Sequence, residues 1–113
     1  MEKQKYIDVI DSGTMLSLVS HYYRDGYRLA AITATQTGGK IQILYSFSRD
    51  NLLSNLRLSV YPVEEVESIG KIYPYAFLYE NEIAELFGIN IVNMPIDYEG
   101  DLYQIAVKKP FNE

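Results

Sequence analysis

The sequence contains no cysteine and no tryptophan, and only one of its 113 residues is a histidine. The lack of cysteine excludes disulfides, thiolate zinc sites, cysteine-ligated iron–sulfur clusters and thiol catalysis by these residues. The hydrophobic share of 48% and the charged share of 22% are ordinary for a globular protein. We therefore interpret residues 1–113 as a single domain, since this length suits one compact core.

Positive charge is also scarce. Ten Lys and Arg residues stand against fifteen Asp and Glu residues, which gives a formal net charge of -5. The longest basic cluster is Lys108-Lys109, so the chain lacks the basic surface that nucleic acids and anionic lipids require. No apolar run approaches the roughly 20 residues that span a bilayer. These absences predict no nucleic-acid partner and only an indirect association with membranes.

Tyrosine is abundant by comparison, with eleven Tyr residues against four Phe. A tyrosine ring can be buried while its hydroxyl group remains hydrogen-bonded, and this residue type is frequent at protein interfaces. For any single tyrosine, however, an ordinary half-buried position remains the simpler expectation.

The first part of the chain predicts a strand followed by a helix. Residues Tyr6–Ile10 alternate loosely in polarity, and Asp11 or Ser12 then offers a helix N-cap. The helix ends at Asp25-Gly26, a C-terminal glycine signal. Its apolar face is formed by Met15, Leu18, Val19, Tyr22 and Tyr23.

The middle of the chain predicts three successive strands. Residues Tyr27–Thr35 form the first, and Gly38-Gly39 is a turn signal. Residues Ile41–Ser48 have a strong period of two, and a turn at Arg49–Asn51 precedes a third strand at Leu56–Tyr61. Strands joined by short turns are expected to form an antiparallel meander.

The last part predicts further helices and short strands. Pro62 suits the first position of a short helix at Val63–Ile69, and a longer helix extends from Pro74 to Gly88. Short strands are expected at Ile89–Val92 and Leu102–Val107. The fold class is α+β: an antiparallel meander packed with about three helices in a single-domain sandwich.

One carboxylate breaks the pattern of the longer helix. At about 100° per residue, Glu80 falls inside an apolar arc, which is formed by Ala76, Tyr79, Ile83, Leu86 and Phe87. A carboxylate there must extend to water, find donors or a cation, or raise its pKa. Two alternatives follow: an ordinary solvated side chain, or a structural carboxylate bonded to nearby backbone or to a partner's arginine. The opposite, polar side holds Leu78, Asn81, Glu82 and Glu85.

The residue pattern predicts no catalytic, cofactor-binding or metal-binding residue. Glu82 and Glu85 share a face and could in principle support acid–base chemistry. However, the single histidine, His21, lies on the polar side of another helix, and no Glu-x-x-His arrangement occurs. Gly38-Gly39 lacks the following helix that a phosphate-binding loop needs.

Two segments, 69–76 and 79–89, resemble the signature of the thirty-kilodalton subunit family of respiratory complex I. That signature reads Glu-Arg-Glu, two residues, an acid, two apolar residues, then Gly and an aliphatic residue. The resemblance covers most of the chain in its order of elements, but only about twenty residues are specific. The signature positions here are Tyr79, Glu80, Glu82, Glu85, Leu86, Phe87, Gly88 and Ile89.

Two departures from the signature bear on the branch of the family. Asn81 stands where the signature has its central Arg, and residues 93–100 replace the family's usual His-Pro and Arg-rich stretch. The region resembles the short accessory member of energy-converting, Ech-type membrane-bound [NiFe] hydrogenases, which are relatives of complex I. The hydrogenase branch is therefore favoured over an NADH or F420H2 dehydrogenase, which remains the alternative, and a free-standing binding module is the third possibility.

The resemblance implies a non-catalytic, cofactor-free accessory subunit of an oxidoreductase complex. Its partner would be the large [NiFe] subunit, or the homologous complex I subunit, with neighbouring hydrophilic subunits at the cytoplasmic face of the membrane. We expect the outward face of the signature helix, or the chain after Ile96, to contact that partner. The candidate interface residues are Leu78, Asn81, Pro95, Asp97, Tyr98, Tyr103 and Phe111.

Overall fold

The computed structural model describes residues 3–94 of the chain. A four-stranded sheet in the order β1-β4-β3-β2 forms the centre, and a separate two-stranded sheet joins β5 to β6. The α+β class is confirmed. The elements are β1 Lys3–Val9, α1 Ser12–Arg24, β2 Arg28–Thr37, β3 Lys40–Arg49, β4 Leu52–Val60, β5 Glu65–Glu67, α2 Ala76–Phe87 and β6 Asn90–Val92.

The predicted meander is confirmed for β2, β3 and β4, whose neighbours pair antiparallel. Gly38 and Gly39, with φ of 54° and 87°, connect β2 to β3. Positive φ at both turn residues is typical of a type I′ hairpin, whose twist matches that of the strands. The sequence therefore predicted this part correctly because its connections are local.

The first strand is arranged differently from a simple meander. β1 pairs with β4 in parallel, from Lys3↔Leu52 to Val9↔Leu58. Its partner is thus remote in sequence, and the connection passes through α1 and the β2–β3 hairpin. Nothing in the local pattern of β1 indicates this partner.

The core lies between one face of the sheet and the helices. The period-two pattern of β3 buries Ile41, Ile43, Tyr45 and Phe47, while α1 contributes Met15, Val19 and Tyr22. The Tyr22 ring stacks on Phe47 with 4.9 Å between centroids. Two members of the predicted face of α1 are less buried: Leu18 is half-buried, and Tyr23 is 57% exposed while its ring edge contacts Tyr73.

The predicted helix at Val63–Ile69 is wrong. Residues 65–67 form β5, which pairs in parallel with β6. Within β5, Val66 points into the core between two glutamates, so the local pattern has a period of two. The pairing partner lies more than twenty residues later, which local helix signals such as Pro62 do not reveal. Residues 3–94 accordingly contain two helices rather than about three, and the strand predicted at Leu102–Val107 lies outside the described residues.

The N-terminus of α1 shows which of the two predicted caps is used. Asp11 has an extended backbone, and its Oδ1 accepts a hydrogen bond from the Thr14 N–H at 2.8 Å. This side chain satisfies one of the N–H groups that the first turn leaves unpaired.

We therefore predict that Asp11→Ala lowers the free energy of unfolding by about 1 kcal/mol, because the Thr14 N–H loses its acceptor. Asp11→Asn retains an oxygen at the same place and serves as the matched control. Urea denaturation followed by circular dichroism measures both. Equal stability of the alanine variant and the original protein would contradict this capping role.

Candidate interface helix and its buried carboxylate

The signature helix is α2, Ala76–Phe87, and its end has a clear local cause. Gly88 adopts a left-handed conformation with φ 69°, and its N–H donates to the Ala84 carbonyl oxygen at 2.8 Å. A glycine adopts this conformation without the strain that a Cβ atom causes. The predicted helix stop at Gly88 is confirmed, and Ile89 then enters the core at 5% exposure.

Glu80 lies in the core with 1% of its surface exposed. Its Oε1 accepts a hydrogen bond from the Ser68 hydroxyl at 2.7 Å, and its Oε2 accepts one from the Ile69 N–H at 2.8 Å. Ser68 Oγ in turn accepts from the Gly70 N–H at 2.9 Å. The carboxylate thus fastens α2 to the segment after β5. Of the two predicted alternatives, the structural carboxylate bonded to nearby backbone is confirmed, and the solvated side chain is wrong.

The electrostatic environment of Glu80 contains opposing effects. Burial raises the pKa of the Glu80 carboxyl, while the hydrogen bonds from Ile69 and Ser68 act in the opposite direction without cancelling that effect. Burial also raises the pKa of the Tyr45 hydroxyl far above its usual range, and the charge of Glu80 adds to this shift. The ion pairs of residues 3–94 join Arg49 to Asp25 and Arg57 to Asp8, so the partners of Glu80 here are uncharged.

Two tyrosines attach the α2 region to β2 and to the residue that precedes it. The Tyr79 hydroxyl donates to the Ala30 carbonyl oxygen at 3.1 Å, and the Tyr73 hydroxyl donates to the Tyr27 carbonyl oxygen at 2.7 Å. Burial raises the pKa of Tyr73 to about 12. The rings fill space while their hydroxyls satisfy backbone acceptors, as the tyrosine-rich composition led us to expect.

The side of α2 that points away from the core is exposed, and we call it the outward face. It consists of five residues. Its apolar members are Tyr75 (75% exposed), Leu78 (57%) and Leu86 (69%), and its acidic members are Glu82 and Glu85. Three large apolar side chains in water next to two exposed carboxylates suit a surface that contacts another molecule. Leu78, Glu82 and Glu85 lie where the sequence predicted them.

Two residues of α2 depart from the prediction. Leu86 was placed in the apolar arc, but it is exposed because it lies about 80° from Ala76 around the helix, at the margin of the arc. The centre of that arc is occupied by Ala76, Ile83 and Glu80. Asn81, predicted to be solvent-facing, is half-buried.

The remaining candidate residues lie partly within and partly outside residues 3–94. The side chain of His21 is exposed, as predicted. Within residues 3–94, no group of three or more His, Cys, Asp and Glu side chains could hold a metal ion, and neither helix there is long and apolar enough to cross a membrane. Five predicted interface residues lie outside the described part of the chain: Pro95, Asp97, Tyr98, Tyr103 and Phe111.

The hydrogen-bond donors to the Glu80 carboxylate were not predicted from the sequence. Ser68, Ile69 and Gly70 were assigned to the end of a helix that does not form. A serine followed by an apolar residue and glycine, between two elements that pack together, was the available signal. Without knowledge of the β5–β6 pairing, that signal could not be connected to a glutamate eleven or twelve residues later.

Comparison with known proteins identifies the family. The model of the family described as the respiratory-chain NADH dehydrogenase 30 kDa subunit matches residues 9–104. The chain belongs to this family. The match includes β4, α2 and the Glu80 site, and it extends beyond the residues that the structure describes.

A solved structure shares the fold. The protein is similar to a chain of the membrane-bound sulfane sulfur reductase, an archaeal respiratory membrane complex, with a TM-score of 0.70 and 15% sequence identity. The similarity covers 85% of this chain and 63% of that chain. At this identity the likeness concerns the fold alone. No curated protein matches the sequence.

We predict that Glu80→Ala destabilises the protein by about 1–3 kcal/mol, because the Ser68 hydroxyl and the Ile69 N–H are left buried without an acceptor. Glu80→Gln is the matched variant, since its side-chain oxygen can still accept a hydrogen bond from one of the two donors, and it should cost less. Chemical denaturation of both variants measures the difference. A Glu80→Ala variant as stable as the original protein would show that these hydrogen bonds do not hold α2.

The raised pKa of Glu80 also predicts a pH dependence. The folded state binds the proton more tightly than the unfolded state, so the contribution of this group is greatest below the unfolded pKa. It declines as the pH rises through the folded pKa. Relative to Glu80→Gln, the original protein should therefore lose stability as the pH rises through the folded pKa of Glu80. Denaturation series of the two proteins at several pH values measure this difference, and a difference that is constant with pH would contradict the prediction.

Proposed function

We propose that this chain is a non-catalytic accessory subunit of an energy-converting respiratory membrane complex, which docks on the large subunit through the outward face of α2. The observation behind this proposal is the two-sided character of the family's signature segment. One side is fastened to the body of the domain through Glu80 and Tyr79, and the other presents Leu78 and Leu86 to solvent. An anchored helix loses little conformational freedom on binding, which favours its use as a docking element.

The charge of the outward face indicates the chemistry of its partner. From Ala76 to Phe87 the helix contains three glutamates and no lysine or arginine, and Glu82 and Glu85 are exposed. A complementary surface combines an apolar groove for Leu78 and Leu86 with arginine or lysine side chains at its rim. Because Glu80 is enclosed in the core, it remains structural and does not reach this partner.

Within the family, we propose the hydrogenase branch. Asn81 replaces the signature arginine, and residues 93–100 lack the Arg-rich stretch of the complex I proteins, so this chain resembles the short accessory member of Ech-type enzymes. The corresponding subunit of an NADH or F420H2 dehydrogenase is the second candidate. The complex, purified through an affinity tag on this chain, separates the two. Nickel bound to the large subunit supports the hydrogenase, and a nickel-free large subunit supports the dehydrogenase.

We also propose that the chain lies at the cytoplasmic face of the membrane, held there by the other subunits of the complex. Neither helix of residues 3–94 is long and apolar enough to cross the bilayer. It would contribute no cofactor of its own. Its role would be to support the geometry of the large subunit.

We predict that Leu78→Glu weakens association with the large subunit by about tenfold or more, because a charge replaces an apolar contact at the centre of the interface. The measurement is the yield of large subunit, identified by mass spectrometry, that co-purifies with the tagged chain. Val63→Glu is the matched control, since Val63 is 87% exposed but lies outside α2. If both variants retain the large subunit equally, the outward face of α2 is not the docking surface.

A further inference from the structure

The strand β2 forms one outer edge of the four-stranded sheet. The two residues that flank the type I′ turn, Thr37 and Lys40, pair directly. In a two-residue hairpin this pair exchanges both backbone hydrogen bonds, and bonded and non-bonded pairs alternate from there. Three residues of β2 consequently direct their N–H and C=O groups away from β3: Ile32, Ala34 and Gln36. Of these, Ile32 is buried with 3% exposure, so the accessible groups at the outer edge belong to Ala34 and Gln36.

Within residues 3–94, no backbone group outside the ladder bonds to these three residues. The adjacent residues of β2 from Thr33 to Thr37 are exposed, except for the half-buried Ala34. Near the beginning of the strand, by contrast, the Tyr79 hydroxyl occupies the Ala30 carbonyl oxygen, beside the irregularity between Leu29 and Ala31. The open part of the edge therefore begins close to α2 and extends toward the hairpin.

The two edges of the sheet differ in how they are protected against pairing with another strand. Natural proteins discourage unwanted strand pairing with charged residues or proline on edge strands. β1, the other edge, contains the exposed, charged Asp8. From Leu29 to Thr37, β2 contains neither a charged residue nor a proline. An edge strand without charged residues or proline over nine consecutive positions is suited to accept another strand.

We propose that an extended segment of the same subunit that covers α2 adds to this sheet as a fifth strand, alongside residues 34–36. This inference rests on the proposed function. A second copy of this chain is a poorer occupant, because pairing over so few residues buries at most roughly a few hundred Å², whereas stable interfaces typically bury about 1,200 Å² or more. A partner that is already bound to α2 needs no large contact area at β2, because this second contact forms within an existing complex.

The proposed pairing predicts an alternating pattern of hydrogen exchange. In the isolated chain, the amides of Ala34 and Gln36 should exchange rapidly, while those of Thr33 and Thr35 are protected by β3. In the complex purified through a tag on this chain, exchange at Ala34 and Gln36 should slow by about tenfold or more. Thr33 and Thr35 serve as internal controls.

A pair of variants tests the same point through the backbone. Gln36→Pro removes an outward N–H without removing a bond to β3, while Gln36→Thr keeps that N–H. With Gln36→Pro, the Ala34 amide should exchange faster in the complex than with Gln36→Thr. Circular dichroism of the isolated variants verifies that both fold.

The outcomes separate this inference from the proposed function. If the complex forms but Ala34 and Gln36 exchange as rapidly as in the isolated chain, the added strand is refuted while docking through α2 stands. The same conclusion applies if these amides are already protected in the isolated chain. If Leu78→Glu retains both the large subunit and the edge protection, docking through α2 is refuted and the added strand stands.

Discussion

A carboxylate in the core sets the position of the signature helix. Glu80 has its two oxygens occupied by Ser68 and by the Ile69 N–H, and these partners belong to the segment that follows β5. A buried carboxylate is tolerated only where donors are in place, so the course of that segment and the rotation of α2 depend on each other. Burial still raises the pKa of Glu80, which means that this interaction opposes a substantial desolvation cost rather than adding simple stability.

The rotation fixed by Glu80 decides which residues of α2 meet solvent. With Ala76 and Glu80 turned inward, Leu78 and Leu86 point outward beside Glu82. The family signature therefore combines two physical roles within one helix. Its inner members hold the helix on the domain, and its outer members form an acidic and apolar surface of the kind that protein partners cover.

The sheet and the helix together give the domain two adjoining surfaces with different means of recognition. The outward face of α2 offers side chains, whereas β2 offers backbone groups at Ala34 and Gln36 that have no partner within residues 3–94. Tyr79 links them, because it lies on α2 and bonds to Ala30 of β2. A subunit held by the helix would therefore lie close to the open edge, which is the geometric basis for considering both surfaces as parts of one interface.

The local elements and the family could be predicted from the sequence: α1 with a cap at Asp11 or Ser12, the hairpin at Gly38-Gly39 and the stop at Gly88. Each depends on residues within a few positions, and so does the odd placement of Glu80 on its helix. The tertiary structure decided the parallel partner of β1, the replacement of a predicted helix by β5, and the donors of Glu80. These depend on contacts between residues far apart in the chain, where the gain from pairing and burial exceeds local preference.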